Sequence, residues 1–89
     1  HRLVGEVRTF GLLAAIELVR SKDGQVMFED TGTVGGMCRD HAIQRGLMMR
    51  AVRDAMILSP ALSYTRADID ETVAIARQAL DATAADLGL

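Results

Sequence analysis

Weakly alternating apolar and polar residues occupy the first part of the chain, from Val4 to Phe10, and this pattern predicts a β-strand. Gly11 interrupts the pattern. A second run, Leu12–Val19, is apolar except for one glutamate, as expected of a central strand covered on at least one face. A single glycine between two such runs indicates a tight turn or a bulge rather than a long crossover. The polar segment 20–33 is predicted to be a surface loop.

The next segment predicts an α-helix, because its apolar-face residues recur at three- and four-residue spacing. Thr33 is the expected N-cap, and Gly46 stands where a left-handed C-terminal cap belongs. Gly35 and Gly36 in the first turn each cost about 1 kcal/mol relative to alanine, so we expect another backbone to approach closely there. The predicted stripe comprises Val34, Met37, Cys38, His41 and Ala42.

A β-hairpin is predicted from two short apolar runs, Leu47–Val52 and Ala55–Leu58, joined around Arg53-Asp54 and ended by Pro60. The last helix begins with a capping-box pattern, in which Thr65 is followed three residues later by an aspartate instead of the usual glutamate or glutamine. This helix is predicted to run for about 20 residues. Its expected apolar face comprises Ile69, Val73, Ala76, Leu80 and Leu87.

The element order strand, strand, helix, strand, strand, helix predicts an α+β fold. We expect two layers, with a small, mainly antiparallel sheet of three or four strands covered by helices. The 89 residues form one small domain, and although 49% are apolar, only 3% are aromatic and many are alanine. Such a core suits a module that packs against something larger. The chain opens at His1 without an initiator methionine, and we interpret it as a piece of a longer protein.

The charge and the cysteine content argue against several classes of protein. The net charge is −2 and the nine arginines among the ten basic residues are scattered, so we expect no nucleic-acid partner. The single cysteine excludes an internal disulfide framework and fits a reducing cytoplasm. No apolar run approaches the roughly 18 residues that cross a bilayer, and the N-terminus lacks a signal-peptide pattern. We therefore expect a soluble, cytoplasmic protein with no membrane partner.

Cys38 and His41 lie three residues apart on the predicted helix and share a face. The pair can begin a zinc site, but four ligands are usual and nothing nearby supplies the others. It can also form a thiolate–imidazole pair. We prefer the simpler interpretation that both residues pack beneath the sheet, with His41 bonded to a backbone carbonyl. The glycine-containing segment 32–36 lacks the lysine of a P-loop and the spacing of a dinucleotide fingerprint. We therefore predict no catalytic, cofactor-binding or metal-binding residue.

Arg50 stands inside a run that otherwise resembles a buried strand, GLMMRAV. Alternation places it on one strand face with Met48 and Val52, and it places Leu47, Met49 and Ala51 on the other. A guanidinium stays charged when it is desolvated, so it needs a carboxylate or phosphate partner. An ion pair within the chain and an anionic ligand both remain open for Arg50, and spacing alone favours the ion pair.

The choice between an internal ion pair and an anionic ligand also concerns Arg53 and Arg8. Asp54 is close enough in sequence for a cross-turn ion pair with Arg53 or Arg50. Arg8, on the first predicted strand, poses a similar question, and for this residue the structural role is favoured more strongly.

Two sequence blocks carry a family resemblance: VGEVRTFGLLAAIELV and GTVGGMCRDHAIQRGLMMRAVRDAMILSPALSYTRADIDETV. They resemble the C-terminal small domain of class III aminotransferases, the pyridoxal-phosphate enzymes of fold type I. Within that class the resemblance is closest to the ω-amino acid or amine:pyruvate aminotransferases. It covers essentially the whole chain, and its most specific part is CRDHAIQRGLMMRAVRDAMILSPAL. It implies that residues 1–89 are the small domain of a longer enzyme whose large, cofactor-binding domain lies outside this chain.

The resemblance implies a substrate-binding role for Arg50. In this subgroup an arginine at the matching position binds the substrate carboxylate, and it swings outward when a bulky apolar amine occupies the pocket. A planar, permanently charged fork suits two parallel hydrogen bonds to a carboxylate. Other branches, acting on γ-aminobutyrate, ornithine or acetylornithine, resemble each other in placing an arginine on the following strand, where Ile57 stands here. Pro60-Ala61 also departs from the two prolines of many relatives.

The resemblance also implies what this chain lacks. In such enzymes the Schiff-base lysine, the aspartate beside the pyridine nitrogen and the phosphate-binding loop belong to the large domain. The only lysine here, Lys22, has no matching context. The implied cofactor is pyridoxal 5′-phosphate, and the implied partners are the large domain, a homodimer or higher homo-oligomer, and small amine and keto-acid substrates. We expect the segment alone to be inactive.

Two rival functions remain open. The chain can be a free-standing, non-catalytic α+β interaction module in which Arg50 pairs internally. Within the enzyme interpretation, the class III enzymes that use diamines or adenosylmethionine also resemble the same block.

Overall fold

The computed structural model of the chain describes residues 1–11, 13–59 and 64–89. It contains one antiparallel sheet of four strands in the order β1-β2-β4-β3 and two α-helices, which confirms the predicted α+β class and element order. A 3-10 turn, Asp23–Gln25, lies in the loop after the second strand. The elements are β1 (Val4–Phe10), β2 (Leu13–Leu18), α1 (Thr33–Gln44), β3 (Arg50–Val52), β4 (Ala55–Leu58) and α2 (Arg66–Leu87).

The core lies between one face of the sheet and the helices. Helix α1 packs against β3 and β4, and α2 packs against α1. The central strands contribute Leu18 and Met56, both fully buried, and the helices contribute mostly small side chains, which let the elements approach closely. The predicted stripe of α1 is confirmed at its buried positions, Val34, Cys38 and Ala42.

A buried carboxylate joins the tip of the β3–β4 hairpin to the start of α1. Asp54 is only 4% exposed, and its Oδ1 accepts hydrogen bonds from the backbone N–H groups of Gly32 (3.1 Å) and Gly35 (2.9 Å). The prediction that Thr33 caps this helix is therefore wrong: the N-cap is Gly32, and the Thr33 hydroxyl bonds to Asp30 instead. The capping side chain comes from a residue 19 positions beyond Gly35 in the sequence, so the contact is not local.

Gly35 lies where the hairpin backbone touches the helix. A Cβ atom added there would stand 2.0 Å from the carbonyl oxygen of Arg53, so no larger residue fits without moving the hairpin. The expected close backbone approach is confirmed at this position. It is wrong for Gly36, because a Cβ atom there would meet only the end of the Arg39 side chain, at 3.8 Å.

The helix ends follow the local sequence signals. Gly46 adopts the left-handed conformation (φ 84°) after α1, as predicted, and the N–H of Leu47 reaches back to the carbonyl of Ala42 (2.9 Å). Thr65 and Asp68 form the predicted capping box of α2. Because Leu47 completes the helix cap, β3 starts only at Arg50, and the predicted strand start at Leu47 is wrong.

The buried stripe of α2 differs from the predicted one in its first half. Ala76 and Leu80 are buried and Leu87 is half-buried, as predicted, but Ile69 and Val73 are exposed. The physical reason is that the residues facing α1 recur at three- and four-residue spacing only from the middle of α2 onward. These buried residues are Ala76, Ala79, Leu80, Thr83 and Ala84.

Strand β1 has the predicted bounds, and β2 (Leu13–Leu18) ends one residue before the predicted end at Val19. Leu12, the hairpin end at Pro60 and the Pro60-Ala61 departure lie outside the described residues. Within those residues, no helix is long and apolar enough to cross a membrane.

Replacing the two adjacent glycines of α1 tests the docking of the hairpin on the helix. Gly35→Ala is expected to lower the free energy of unfolding by about 3 kcal/mol or more, because its methyl group collides with the Arg53 carbonyl. Gly36→Ala is the matched control, and it is expected to raise the free energy of unfolding by about 1 kcal/mol through helix propensity. Urea unfolding measures both values. Equal effects of the two substitutions would show that the hairpin does not rest on Gly35.

Candidate functional site

The sheet has one face turned away from the helices, here called the outer face. It carries Arg50, Ile57, Ala15 and Arg8, which lie opposite one another across all four strands. Three strand spacings separate the ends of this row, or about 14 Å between Arg8 and Arg50. The outer face thus places one cation at each edge and apolar side chains in between.

The structure confirms the predicted orientation of Arg50. Met48 is 87% exposed and Val52 is exposed, on the same side as Arg50, whereas Met49 is 2% exposed and joins the core. The guanidinium of Arg50 forms no ion pair with any residue that the structure describes. A cross-turn pair with Asp54 is wrong, because that carboxylate points into the α1 terminus.

A shallow groove of about 750 Å³ runs beside Arg50. Its walls come from β2, β4, α1, β3 and the segment just before β3, so Arg50 shares the groove with residues from several parts of the fold. The only charged side chains among its described lining residues are Arg39 and Arg50. The lining residues are Leu13, Arg39, Ile43, Met48, Met49, Arg50, Ala51, Ile57 and Ser59.

Arg8, at the opposite edge of the outer face, already has its partners. Its guanidinium lies 3.1 Å from Glu17 Oε2 and 3.2 Å from Glu6 Oε2. The hydrogen bond to Glu17 and the charge of Glu6 raise the pKa of Arg8 above its ordinary value. The structural role predicted for Arg8 is confirmed, and among these two arginines Arg50 is the one open to an anion.

Cys38 and His41 do not form a reactive pair. Cys38 is fully buried, and this burial raises the pKa of its thiol, so the thiol stays protonated near neutral pH. His41 Nε2 lies 2.6 Å from Asp86 Oδ2, across the α1–α2 contact. The expected backbone-carbonyl partner of His41 is therefore wrong. Within the described ranges, no group of three or more histidine, cysteine, aspartate or glutamate side chains is placed to hold a metal ion.

Sequence reasoning missed Arg39 as a lining residue of the groove. It stands on α1 four positions before Ile43, so the two side chains share a face of the helix that the buried stripe excludes. That spacing was the available signal, but only the packing of α1 beside β3 shows that this face borders the groove.

Comparisons with known proteins identify relatives over nearly the whole chain. The putrescine–pyruvate aminotransferase of Pseudomonas aeruginosa is 51% identical over 85 residues, which are 96% of this chain and 18% of that protein. A probable gamma-aminobutyrate transaminase of rice is 36% identical over 81 residues, covering 91% of this chain and 17% of that protein. No model of a protein family matches the chain.

Solved structures show the same fold. A thermostable omega transaminase variant from Pseudomonas jessenii superimposes with a TM-score of 0.93 at 34% identity, over 100% of this chain and 20% of that one. The omega transaminase of that organism in complex with PMP superimposes with a TM-score of 0.92, also at 34% identity. The match covers 99% of this chain and 19% of that one. The chain therefore spans about a fifth of the length of the proteins it matches.

Thiol labelling tests whether Cys38 is a buried core residue or a reactive one. Because burial raises the pKa of its thiol, we expect Cys38 in the folded protein to react with a thiol-specific reagent at pH 8 at least about 100-fold more slowly than after denaturation. Mass spectrometry of the labelled protein measures both rates. Rapid labelling of the folded protein would restore Cys38 as a candidate nucleophile.

Proposed function

Since the chain is homologous in sequence and fold to a segment of class III aminotransferases, we propose that it is the C-terminal small domain of a pyridoxal-phosphate-dependent aminotransferase. The complete enzyme moves an amino group from an ω-amino acid or an amine to pyruvate. The activity is that of the longer protein, because the chain spans only about a fifth of its relatives. The similarity to enzymes favours this function over a free-standing interaction module.

The observation that carries the proposal is the open guanidinium of Arg50. It is a permanent charge on the outer face, without an ion-pair partner among the described residues, and it borders a groove with largely apolar walls. A carboxylate supplies the missing partner through two parallel hydrogen bonds, which fix its orientation as well as its position. Arg50 thus binds the substrate by its carboxylate and holds the rest of the molecule in a defined direction.

The side chains around Arg50 restrict what else can bind. Ile57 lies directly opposite Arg50 on β4, at the position where the resemblance places an arginine in other branches. The groove therefore lacks a second arginine on that strand and offers an apolar surface to the body of an amine or a short keto acid. This arrangement supports the pyruvate-type branch.

The cofactor is held by the large domain. Pyridoxal phosphate supplies the electron sink for amino-group transfer when it is bound there. The only lysine of this chain, Lys22, precedes the 3-10 turn whose Gln25 bonds to Gly5 of β1, and β1 is the sheet edge opposite to that of Arg50. The residues present do not fit a cofactor site, so the segment alone is expected to be inactive.

The outer face also suits contact with the rest of the enzyme. Phe10 is 86% exposed, Leu13 opposite it on β2 is exposed, and Met48, 87% exposed, lines the groove near the other edge of the sheet. Apolar side chains in such numbers on one face of a small domain mark an interface. We propose that the large domain covers this face and that the enzyme is a cytoplasmic homodimer or higher homo-oligomer.

A diamine is the second candidate for the amino donor. The relative with 51% identity is a putrescine–pyruvate aminotransferase, and Arg50 then serves the acceptor, pyruvate, rather than the donor. An adenosylmethionine donor has a weaker basis, since the matching relative, an adenosylmethionine-8-amino-7-oxononanoate aminotransferase, is 32% identical.

Substituting Arg50 in the full-length enzyme tests its role. Arg50→Ala is expected to raise KM for carboxylate-bearing substrates by about 10- to 100-fold, because charge-assisted hydrogen bonds are lost. KM for simple aromatic amines is expected to stay within about twofold of the original value, since these substrates carry no carboxylate. Steady-state kinetics with both substrate classes measures the difference.

Arg8→Ala is the matched control, because Arg8 lies in the same row of the outer face but is already paired with Glu6 and Glu17. It is expected to leave KM for both classes unchanged. An equal increase in KM for carboxylate and amine substrates in Arg50→Ala would refute carboxylate recognition by Arg50.

A further inference from the structure

Arg39 is the second positive charge on the groove that contains Arg50. It stands on the exposed side of α1, and its side chain lines the groove together with Met48 and Ile57. Its Nη2 lies 3.8 Å from the Cβ position of Gly36, so the guanidinium lies back along the helix. Two cations that arrive from different elements, α1 and β3, thus border one groove.

The charge of Arg39 is only weakly neutralised. Its Nε and Nη2 each lie 3.2 Å from Oδ1 of Asp40, but the side chains of this pair are 46% and 64% exposed. Exposed ion pairs between neighbouring residues contribute little, because water competes with them. Asp40 does not line the groove, whereas Arg39 does. An anion in the groove is therefore closer to Arg39 than to Asp40.

We propose that Arg39 raises the affinity of the enzyme for carboxylate substrates by adding to the positive potential at Arg50, without bonding to the substrate itself. Clefts lined by charges of one sign concentrate ions of the opposite sign, and low-dielectric walls strengthen the effect. Arg39 is thereby a specificity-determining residue, since it favours carboxylate-bearing substrates over amines without a carboxylate at the same groove. The inference rests on the proposed function of Arg50.

The salt dependence of KM separates this effect from a structural or contact role. In the full-length enzyme, Arg39→Gln is expected to raise KM for pyruvate about two- to threefold at low ionic strength, with kcat unchanged. The increase is expected to disappear at about 1 M salt, where the Debye length falls to roughly 3 Å. KM for an aromatic amine without a carboxylate, which is a cation at neutral pH, is not expected to rise.

Two further variants make the test specific. Asp40→Asn removes the compensating carboxylate and is expected to lower KM for pyruvate at low salt, the opposite sign to Arg39→Gln. Arg45→Gln is the matched control, because Arg45 is the C-cap residue of the same helix but lies outside the groove, with its Nη1 bonded to the carbonyl of His41. It is expected to leave KM unchanged.

The outcomes distinguish this inference from the proposed function. The role of Arg39 would be overturned if Arg39→Gln left KM for pyruvate unchanged at low salt. It would also be overturned if the increase in KM persisted at high salt, or if Arg45→Gln raised KM by the same factor. The Arg50→Ala result is independent of all three. If Arg50→Ala selectively impairs carboxylate substrates while Arg39→Gln does not, the proposed function stands and the inference about Arg39 is wrong.

Discussion

The buried carboxylate of Asp54 is the interaction on which the arrangement of the site depends. Burying a charged group is costly unless donors surround it, and here the N–H groups of Gly32 and Gly35 at the start of α1 supply them. The two groups satisfy each other, because the helix terminus has unpaired donors and the hairpin tip has an unpaired acceptor. Gly35 allows the contact because it has no side chain, and Arg53 adopts a left-handed conformation (φ 57°) at the hairpin tip.

The contact of Asp54 with the start of α1 helps to determine which arginine has no ion-pair partner among the described residues and can bind an anionic ligand. With Asp54 turned inward, the nearest carboxylate in sequence is no longer available to Arg50, and the alternation of β3 directs that guanidinium away from the core. At the other edge of the sheet, Glu6 and Glu17 occupy Arg8. The fold therefore pairs one arginine of the outer face internally and leaves the other for an anion, which is the physical basis of the proposed carboxylate recognition.

Sequence reasoning succeeded where the determining contacts are local. The alternation of β1, the capping box at Thr65 and Asp68 and the left-handed Gly46 all depend on residues within a few positions of each other. It failed where the partner is distant along the chain. Asp54 replaces Thr33 as the capping side chain, and Asp86, 45 residues away, replaces a backbone carbonyl as the partner of His41.

The candidate site also combines features that local sequence predicts with features that depend on distant residues. Alternation predicted the side of the strand on which Arg50 lies, but its lack of a partner could be seen only once every described carboxylate had a position. The groove beside it, including Arg39, depends on how α1 sits against the sheet, which no local pattern reports. The resemblance to aminotransferases implies the proposed role of Arg50, and the exposed guanidinium beside the groove is compatible with that role.

A crystal structure of the full-length enzyme with pyridoxal phosphate and a carboxylate-bearing inhibitor tests the central claim most directly. The account predicts that the guanidinium of Arg50 binds the inhibitor carboxylate through two N–H···O hydrogen bonds of about 2.8 Å. An Arg50 that is instead paired with an aspartate or glutamate of the large domain, with the inhibitor carboxylate bound elsewhere, would contradict it.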